Sequence, residues 1–210
     1  MSRVERDLYG SFFSYALNQA LLPAKLLIPQ PVIARMPLLT TNHQIRTGVV
    51  RLAVRGRLLD IGCGENHLVR QYRAAGGEGV GVDVYPWPNV DQVVEDTARL
   101  PFADGSFDTI TFVACINHIP NRAEVLREAR RLLARDGRVV LTNLTPFLSR
   151  IWHRWAFWDE DQHERGMKPG EVYGFTDAEL TALLRDAGYR LVARNPFSWR
   201  LNCLYAFEKA

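Results

Sequence analysis

The sequence predicts an α/β fold built on a mostly parallel, doubly wound sheet, and three observations predict it. From Arg57 onward, short apolar β-rich runs alternate with helical patterns, the mark of βαβ units. The first run passes through a glycine turn straight into a helix, Leu58-Leu59-Asp60-Ile61-Gly62-Cys63-Gly64-Glu65-Asn66. The next run ends in an acid, Asp83, 19 residues beyond Gly64. Composition agrees: 210 residues, 47% hydrophobic and 23% charged, suffice for one domain with an appendage and exclude disordered or collagen-like chains.

Residues 5–22 read as a helix, with Leu8, Phe12, Tyr15, Ala16 and Gln19 at helical spacing and Phe13, Leu17 and Leu21 widening the apolar face. Prolines 23, 29, 31 and 37 then predict an irregular segment to Leu39. Thr41 or Asn42 is placed to cap a second helix through Val54. Strands follow at 57–61, 79–84, 91–94, 107–114 and 137–143, with helices at 66–75 and 122–134 between them. A long aromatic stretch covers 145–175. A helix at 177–187 sits between Thr176 as cap and Gly188 as stop, and strands at 189–194 and 203–208 are close enough to pair antiparallel. The boundaries expected are an N-terminal helical and irregular cap, 1–50, and a domain from 51 to 210 with an insertion at about 145–175.

The charge balance, 26 Lys+Arg against 23 Asp+Glu, leaves +3 with no basic stripe, so a nucleic-acid partner is not indicated. Cys63, Cys115 and Cys203 are odd in number and far apart, which argues against a disulfide framework or structural zinc and for a reduced, cytoplasmic setting. The acids at Glu5 and Asp7 do not suit a signal peptide, and Lys25, Arg35 and the prolines interrupt any spanning helix. Residues 5–39 either cap the cofactor and substrate or touch a membrane surface peripherally; a polar face poor in Lys and Arg favours the cap.

Gly62 and Gly64 strip side chains from the turn where a cofactor must approach backbone N–H groups, and Asp83 is placed to accept hydrogen bonds from ribose hydroxyls. A dinucleotide fold would set G-x-G-x-x-G over a pyrophosphate, but His67 stands at the third glycine position. Asp60 beside the turn repels phosphate and suits an ammonium group. A nucleoside carrying an ammonium and no pyrophosphate is needed, and S-adenosylmethionine fits.

At these residues the chain resembles the class I S-adenosylmethionine-dependent methyltransferases, of the type 11 small-molecule group. The resemblance covers 57–144 well and the C-terminal strands loosely. It rests on Leu-Asp-Ile-Gly-Cys-Gly at 59–64, Gly-Val-Asp-Val at 81–84, Asp96 ahead of Leu-Pro-Phe-Ala-Asp-Gly-Ser-Phe-Asp at 100–108, and Cys115-Ile116-Asn117-His118-Ile119. It implies a Rossmann-like seven-stranded sheet with an antiparallel C-terminal strand. It also implies that Asp60, Gly62, Cys63 and Gly64 hold the methionine portion, Asp83 the ribose and Val84 the adenine face. Asp96 and Thr97 would meet the adenine edge, and Cys115 and Ile116 the wall near the sulfonium. Asn66 stands where the family usually has a third glycine; Asn tolerates left-handed backbone, so binding is expected to survive.

Other readings stand beside these. Asp60, Asp83 and Asp96 are also ordinary turn residues, and Cys115 an ordinary small buried side chain; Ala114-Cys115 is not the Pro-Cys of the cytosine-C5 enzymes. Asn117-His118-Ile119-Pro120 lacks the Asp/Asn-Pro-Pro-aromatic motif of amino-group nucleic-acid methyltransferases, which leaves His118 as a structural hydrogen-bonder or a base. Trp152 to Arg165 is either a docked surface helix with a solvated turn, an acceptor wall in which His163 or Asp161 takes a proton, or a metal set of Asp159, Asp161 and His163. No metal is expected overall. In the loop 166–175, Lys168 and Tyr173 are possible acceptor contacts. The expected activity is methyl transfer to a small acceptor, an oxygen on a lipid, glycan or secondary metabolite, with His163 first and His118 second as base. The alternatives are a non-catalytic S-adenosylmethionine-binding subunit and, less favoured, a nicotinamide-dependent dehydrogenase.

Overall fold

The computed structural model describes residues 8–25, 28, 30–36, 38–147, 149–150 and 169–210. Its strands are β1 (Leu58–Ile61), β2 (Gly79–Asp83), β3 (Gln92–Val93), β4 (Phe107–Val113), β5 (Leu133–Leu144), β6 (Tyr189–Phe197) and β7 (Asn202–Lys209). They form one sheet in the order β3-β2-β1-β4-β5-β7-β6. β1 to β5 pair in parallel, and β7 runs antiparallel to both β5 and β6. Around the sheet lie α1 (Phe12–Ala20), α2 (Leu22–Lys25), α3 (Gln30–Ala34), α4 (Asn42–Ala53), α5 (His67–Ala74), α6 (Arg122–Leu132) and α7 (Asp177–Asp186).

Side chains alternate across the sheet as the pleat requires. Leu58, Val140, Leu204 and Ala206 pack with Val50 of α4 and Leu68 and Val69 of α5 on one face. Leu59, Ile61, Val139, Leu141, Tyr205 and Phe207 pack with Val125, Leu126, Ala129 and Leu132 of α6 and Leu180 and Leu184 of α7 on the other. Both faces of β1 are covered, and all four of its residues are buried, which is why it reads as an unbroken apolar run around a single acid.

Thr41, not Asn42, caps α4: its Oγ1 accepts the Gln44 N–H at 3.0 Å, and Gln44 Oε1 accepts the Thr41 N–H at 2.8 Å. α4 is one continuous helix with Val50 in the core, so a division at residue 50 falls inside an element of the sheet's outer layer. Thr176 caps α7 with Glu179 in the same reciprocal way.

Three departures from the sequence expectation stand out, beside smaller shifts such as β6 running on to Phe197. β5 begins at Leu133, directly after α6, where Leu133 pairs with Phe107 ahead of an irregularity in the ladder; this tertiary pairing overrides the helical preference of Leu133 and Ala134. The helix expected over 5–22 is interrupted at Gly10, φ +68°, and restarts at Ser11, whose Oγ accepts the Ser14 N–H at 3.1 Å. The stretch to Leu39, expected to be irregular, contains α2 and α3. On α1 the buried residues are Ser14 and Asn18, while Phe12 and Phe13 are exposed.

Candidate cofactor and acceptor site

Strand order reverses direction between β1 and β4, and ligands of open α/β sheets bind beyond the carboxyl ends of the strands at such a switch point. The turn after β1, the end of β2 and the turn after β4 meet there. Gly62 and Gly64 have φ of +72° and +53°. A Cβ on Gly62 would lie 2.9 Å from the Cys115 side chain, so this glycine lets the β1 and β4 turns touch; a Cβ on Gly64 would meet only open space.

Asn66 holds the left-handed conformation, φ 60° and ψ 30°, at the start of α5. It is fully buried, and its Nδ2 donates to Asn89 O at 2.9 Å and Asp91 Oδ2 at 3.0 Å. The space comes from Gly81 on β2, where a Cβ would sit 2.1 Å from Asn66 Oδ1. A missing glycine in the turn is thus matched by a glycine in the neighbouring strand. Asp91 also accepts the Gly81 N–H at 2.8 Å and pairs with Arg73 at 2.9 Å. Burial opposes its charge, but Arg73, the Gly81 N–H and the Asn66 amide outweigh that and hold it below the usual carboxylate range. His67 turns toward α4, where its ring meets His43 edge-on with centroids 4.9 Å apart, so it does not occupy the helix–strand contact a dinucleotide-fold glycine would make.

Asp60 is buried between cross-strand neighbours Gly81 and Thr111. Thr111 Oγ1 donates to its Oδ1 at 2.6 Å. Burial pushes the carboxyl up to about 7 against this hydrogen bond, and the nearby Asp83 charge adds to the rise. A carboxylate so short of cationic partners favours an incoming ammonium. Asp83, also buried, accepts the Gly64 N–H at 2.9 Å on Oδ2 and the Tyr85 N–H at 3.0 Å on Oδ1. Each oxygen keeps a lone pair for a ribose hydroxyl. Val84 beyond it is exposed, and the Tyr85 and Trp87 rings lie 4.6 Å apart beside it.

Asp96 Oδ1 accepts the Ala98 N–H at 2.9 Å and Asn121 Nδ2 at 3.1 Å, and these two bonds hold its carboxyl below the usual range. Thr97 next to it is buried. Asp96 therefore links this loop to the start of α6. Burial, reinforced by Asp60 and Asp83, pushes the thiols of Cys63 and Cys115 well above the ordinary range. Both stay protonated at neutral pH, and neither has the character of a nucleophile. Cys115 Sγ lies 3.0 Å from Ile61 O, which closes the β1–β4 seam. Ile116, grouped with Cys115 in the sequence reading, is enclosed by the core; its side chain shapes the wall from behind, because the short 3₁₀ turn Ile116–His118 rolls it inward.

His118 ends that turn. Its Nδ1 lies 3.3 Å from Oε2 of Glu171, a carboxylate only 1% exposed. The segment carrying Glu171 is fastened on both sides. Asn117 and Val172 exchange a backbone bond of 3.0 Å and a side-chain bond of 3.3 Å, and Asn143 of β5 donates to Phe175 O at 2.7 Å and accepts its N–H at 3.2 Å. Arg122 donates to Gly170 O at 2.6 Å. Tyr173 lies in the same segment. His163, Lys168 and the whole 152–165 cluster, including Asp159 and Asp161, lie outside the described residues.

Thr111, Asp91, Ala114 and Glu171 were not singled out from the sequence. Thr111 carried a signal, being with Thr109 one of two threonines at alternate positions in a strand whose one other polar residue is Asp108. Ala114, with φ 55° at the end of β4, and Glu171 carried none.

The fold and site together define a nucleoside-binding α/β domain of the class I methyltransferase type. The chain belongs to the family described as methyltransferase domain, whose model matches residues 39–194, and S-adenosylmethionine is the cofactor of class I enzymes of this kind. It is 36% identical over 138 residues to a ubiquinone/menaquinone biosynthesis C-methyltransferase of Rhizobium meliloti, covering 56% of this chain and 51% of that one. It is 32% identical over 110 residues to the 27-O-demethylrifamycin SV methyltransferase of Amycolatopsis mediterranei, covering 45% and 40%. The chain thus spans about half or less of the length of these curated relatives. Among solved structures, the 1,6-didemethyltoxoflavin-N1-methyltransferase of Burkholderia thailandensis, with S-adenosylhomocysteine bound, superposes with a TM-score of 0.56 at 16% identity over 99% of this chain and 87% of that one.

Proposed function

We propose that the chain transfers a methyl group from S-adenosylmethionine to a hydroxyl-bearing small molecule, with His118 taking the hydroxyl proton and Glu171 orienting its ring. The observation that carries the reading is a carboxylate buried behind a histidine whose side chain is 24% exposed, at the carboxyl end of β4. When bound, S-adenosylmethionine supplies an electrophilic methyl group on a sulfonium, which leaves as a neutral thioether. The chain's own residues do the rest. Asp60 draws the ammonium end to the β1 turn, Asp83 holds the ribose hydroxyls, and the Gly62–Cys115 seam closes the floor. His118, its Nδ1 turned toward Glu171, supplies the imidazole that takes the proton.

A second reading shares this site. Relatives of the chain include ubiquinone/menaquinone biosynthesis C-methyltransferases, and a hydroquinone carbon becomes nucleophilic when the neighbouring hydroxyl loses its proton, so the same base serves either atom. The test is label transfer from methyl-labelled S-adenosylmethionine to panels of phenols, hydroquinones, sugars and amines, with NAD binding as a control. The expected outcome is turnover of a hydroxyl-bearing acceptor. His118→Ala is expected to lower kcat by about 10²-fold or more, and Glu171→Gln by less, with a displaced pH profile. Turnover of amines alone, indifferent to His118→Ala, contradicts the reading; cofactor binding without any turnover supports a non-catalytic subunit instead.

A further inference from the structure

We infer that Arg122, the first residue of α6, is a positioning residue that straps the segment 170–175 in place and keeps the Glu171 carboxylate ionised behind His118. The inference rests on the reading of His118 as the base. Arg122 meets the segment at three places. At one end its Nη2 donates to Gly170 O at 2.6 Å. At the other its guanidinium lies over the Phe175 ring, 5.5 Å from the centroid. Between them is Glu171, whose charge opposes the lowering that burial imposes on the guanidinium. The backbone is shaped for this approach. Gly170 has φ +90°, and a Cβ there would lie 3.0 Å from the Pro120 side chain, two residues ahead of Arg122.

A carboxylate taken out of water needs a cation to stay ionised. In the transfer, the acceptor O–H proton goes to the His118 ring, the freed oxygen takes the methyl group, and the sulfonium leaves as a thioether. His118 is therefore a cation facing Glu171 only after it has taken the proton. Before that step Arg122 supplies a positive charge, so the carboxylate is ready when the imidazolium forms. Other charged side chains around the segment have engagements of their own. Glu124 and Glu179 line a cavity of about 420 Å³ with Arg122. Glu124 pairs with Arg127 at 2.9 Å, and Glu179 accepts from Thr176 at 2.8 Å in the α7 cap. Arg150 lies over the Tyr173 ring, 5.7 Å from its centroid.

The test pairs Arg122→Met, which removes the charge, with Arg122→Lys, which keeps it. Loss of a neighbouring cation raises the proton affinity of the His118–Glu171 pair, whichever member takes the proton. Without any acceptor, the first proton uptake by the pair is read from the His118 ring resonances in an NMR titration, assigned with His118→Gln. Its midpoint is expected to rise by about 0.5 pH unit or more in Arg122→Met and to stay close to wild type in Arg122→Lys. With a hydroxyl-bearing acceptor, the rising limb of kcat moves the same way, and unchanged S-adenosylhomocysteine affinity marks the fold as intact. Equal midpoints in wild type and Arg122→Met, or the same displacement in both variants, overturn the inference and leave Arg122 a structural clamp. A displaced midpoint in Arg122→Met together with turnover indifferent to His118→Ala supports the hold on Glu171 and contradicts the base instead.

Discussion

Along the carboxyl edge of the sheet, the β1–β2 side is closed by contacts between near neighbours in the chain and the β4–β5 side by contacts between distant ones. Gly64 N–H reaches Asp83 across 19 residues, Gly81 N–H reaches Asp91 across 10, and Tyr85 N–H reaches Asp83 across 2. His118 meets Glu171 across 53 residues, Asn117 meets Val172 across 55, and Asn143 holds Phe175 across 32. The first set lies within one strand–turn–helix–strand unit and can be stable whatever the acceptor. The second depends on a returning segment, 169–175, laid over the ends of two strands. A cofactor common to many enzymes suits the first construction, and an acceptor particular to one suits the second.

The largest expected effect lies on the β1–β2 side and depends on pH. The Asp60 carboxyl is raised in the folded chain to about 7 from 3.8 by burial. Between about pH 4 and pH 7 the folded protein therefore holds a proton that the unfolded chain has released, so stability falls as pH rises and the loss is complete above 7. Asp60→Asn should stabilise the unliganded protein at pH 8 by on the order of 3 kcal/mol and leave it unchanged near pH 4, as read from urea unfolding.

Next is the pairing of Gly81 with Asn66. Gly81→Ala places a Cβ 2.1 Å from Asn66 Oδ1 and should cost about 2–3 kcal/mol by overpacking. Asn66→Gly should restore most of it, because glycine accepts the left-handed backbone and removes the clashing atom. A double-mutant cycle on thermal unfolding checks this, and simple additivity would mean the two positions are not coupled.

On the β4–β5 side, Asn143→Ala leaves the buried N–H and C=O of Phe175 without partners. The expected cost is about 1–2 kcal/mol, with S-adenosylhomocysteine affinity unchanged; a large loss of affinity would show that the two sides are not separable. The smallest effect is expected at Thr41→Ala, which removes the α4 cap for about 1 kcal/mol in a denaturant melt.

The same contrast explains what the sequence revealed. Gly62, Gly64 and Asp83 are readable because turn, helix start and strand end recur at short, regular spacing. Asn66 was readable as a left-handed residue, but its compensation at Gly81 was not, because it depends on the lateral register that sets Gly81 beside Asp60. Glu171 was hidden because nothing near it in the chain marks an acid destined for burial. The orientation of α1 was hidden because periodicity shows that a helix has two faces without showing which one a buried Asn18–Lys25 bond will turn inward.

The central claim is that Asp83 holds the cofactor while His118 serves the acceptor. Calorimetric titration of S-adenosylhomocysteine into the wild type, Asp83→Ala and His118→Ala tests it most directly. The account predicts binding by the wild type, a loss of roughly 1.5–3 kcal/mol for Asp83→Ala, and wild-type affinity for His118→Ala. Equal binding by Asp83→Ala, or none by the wild type, would contradict it.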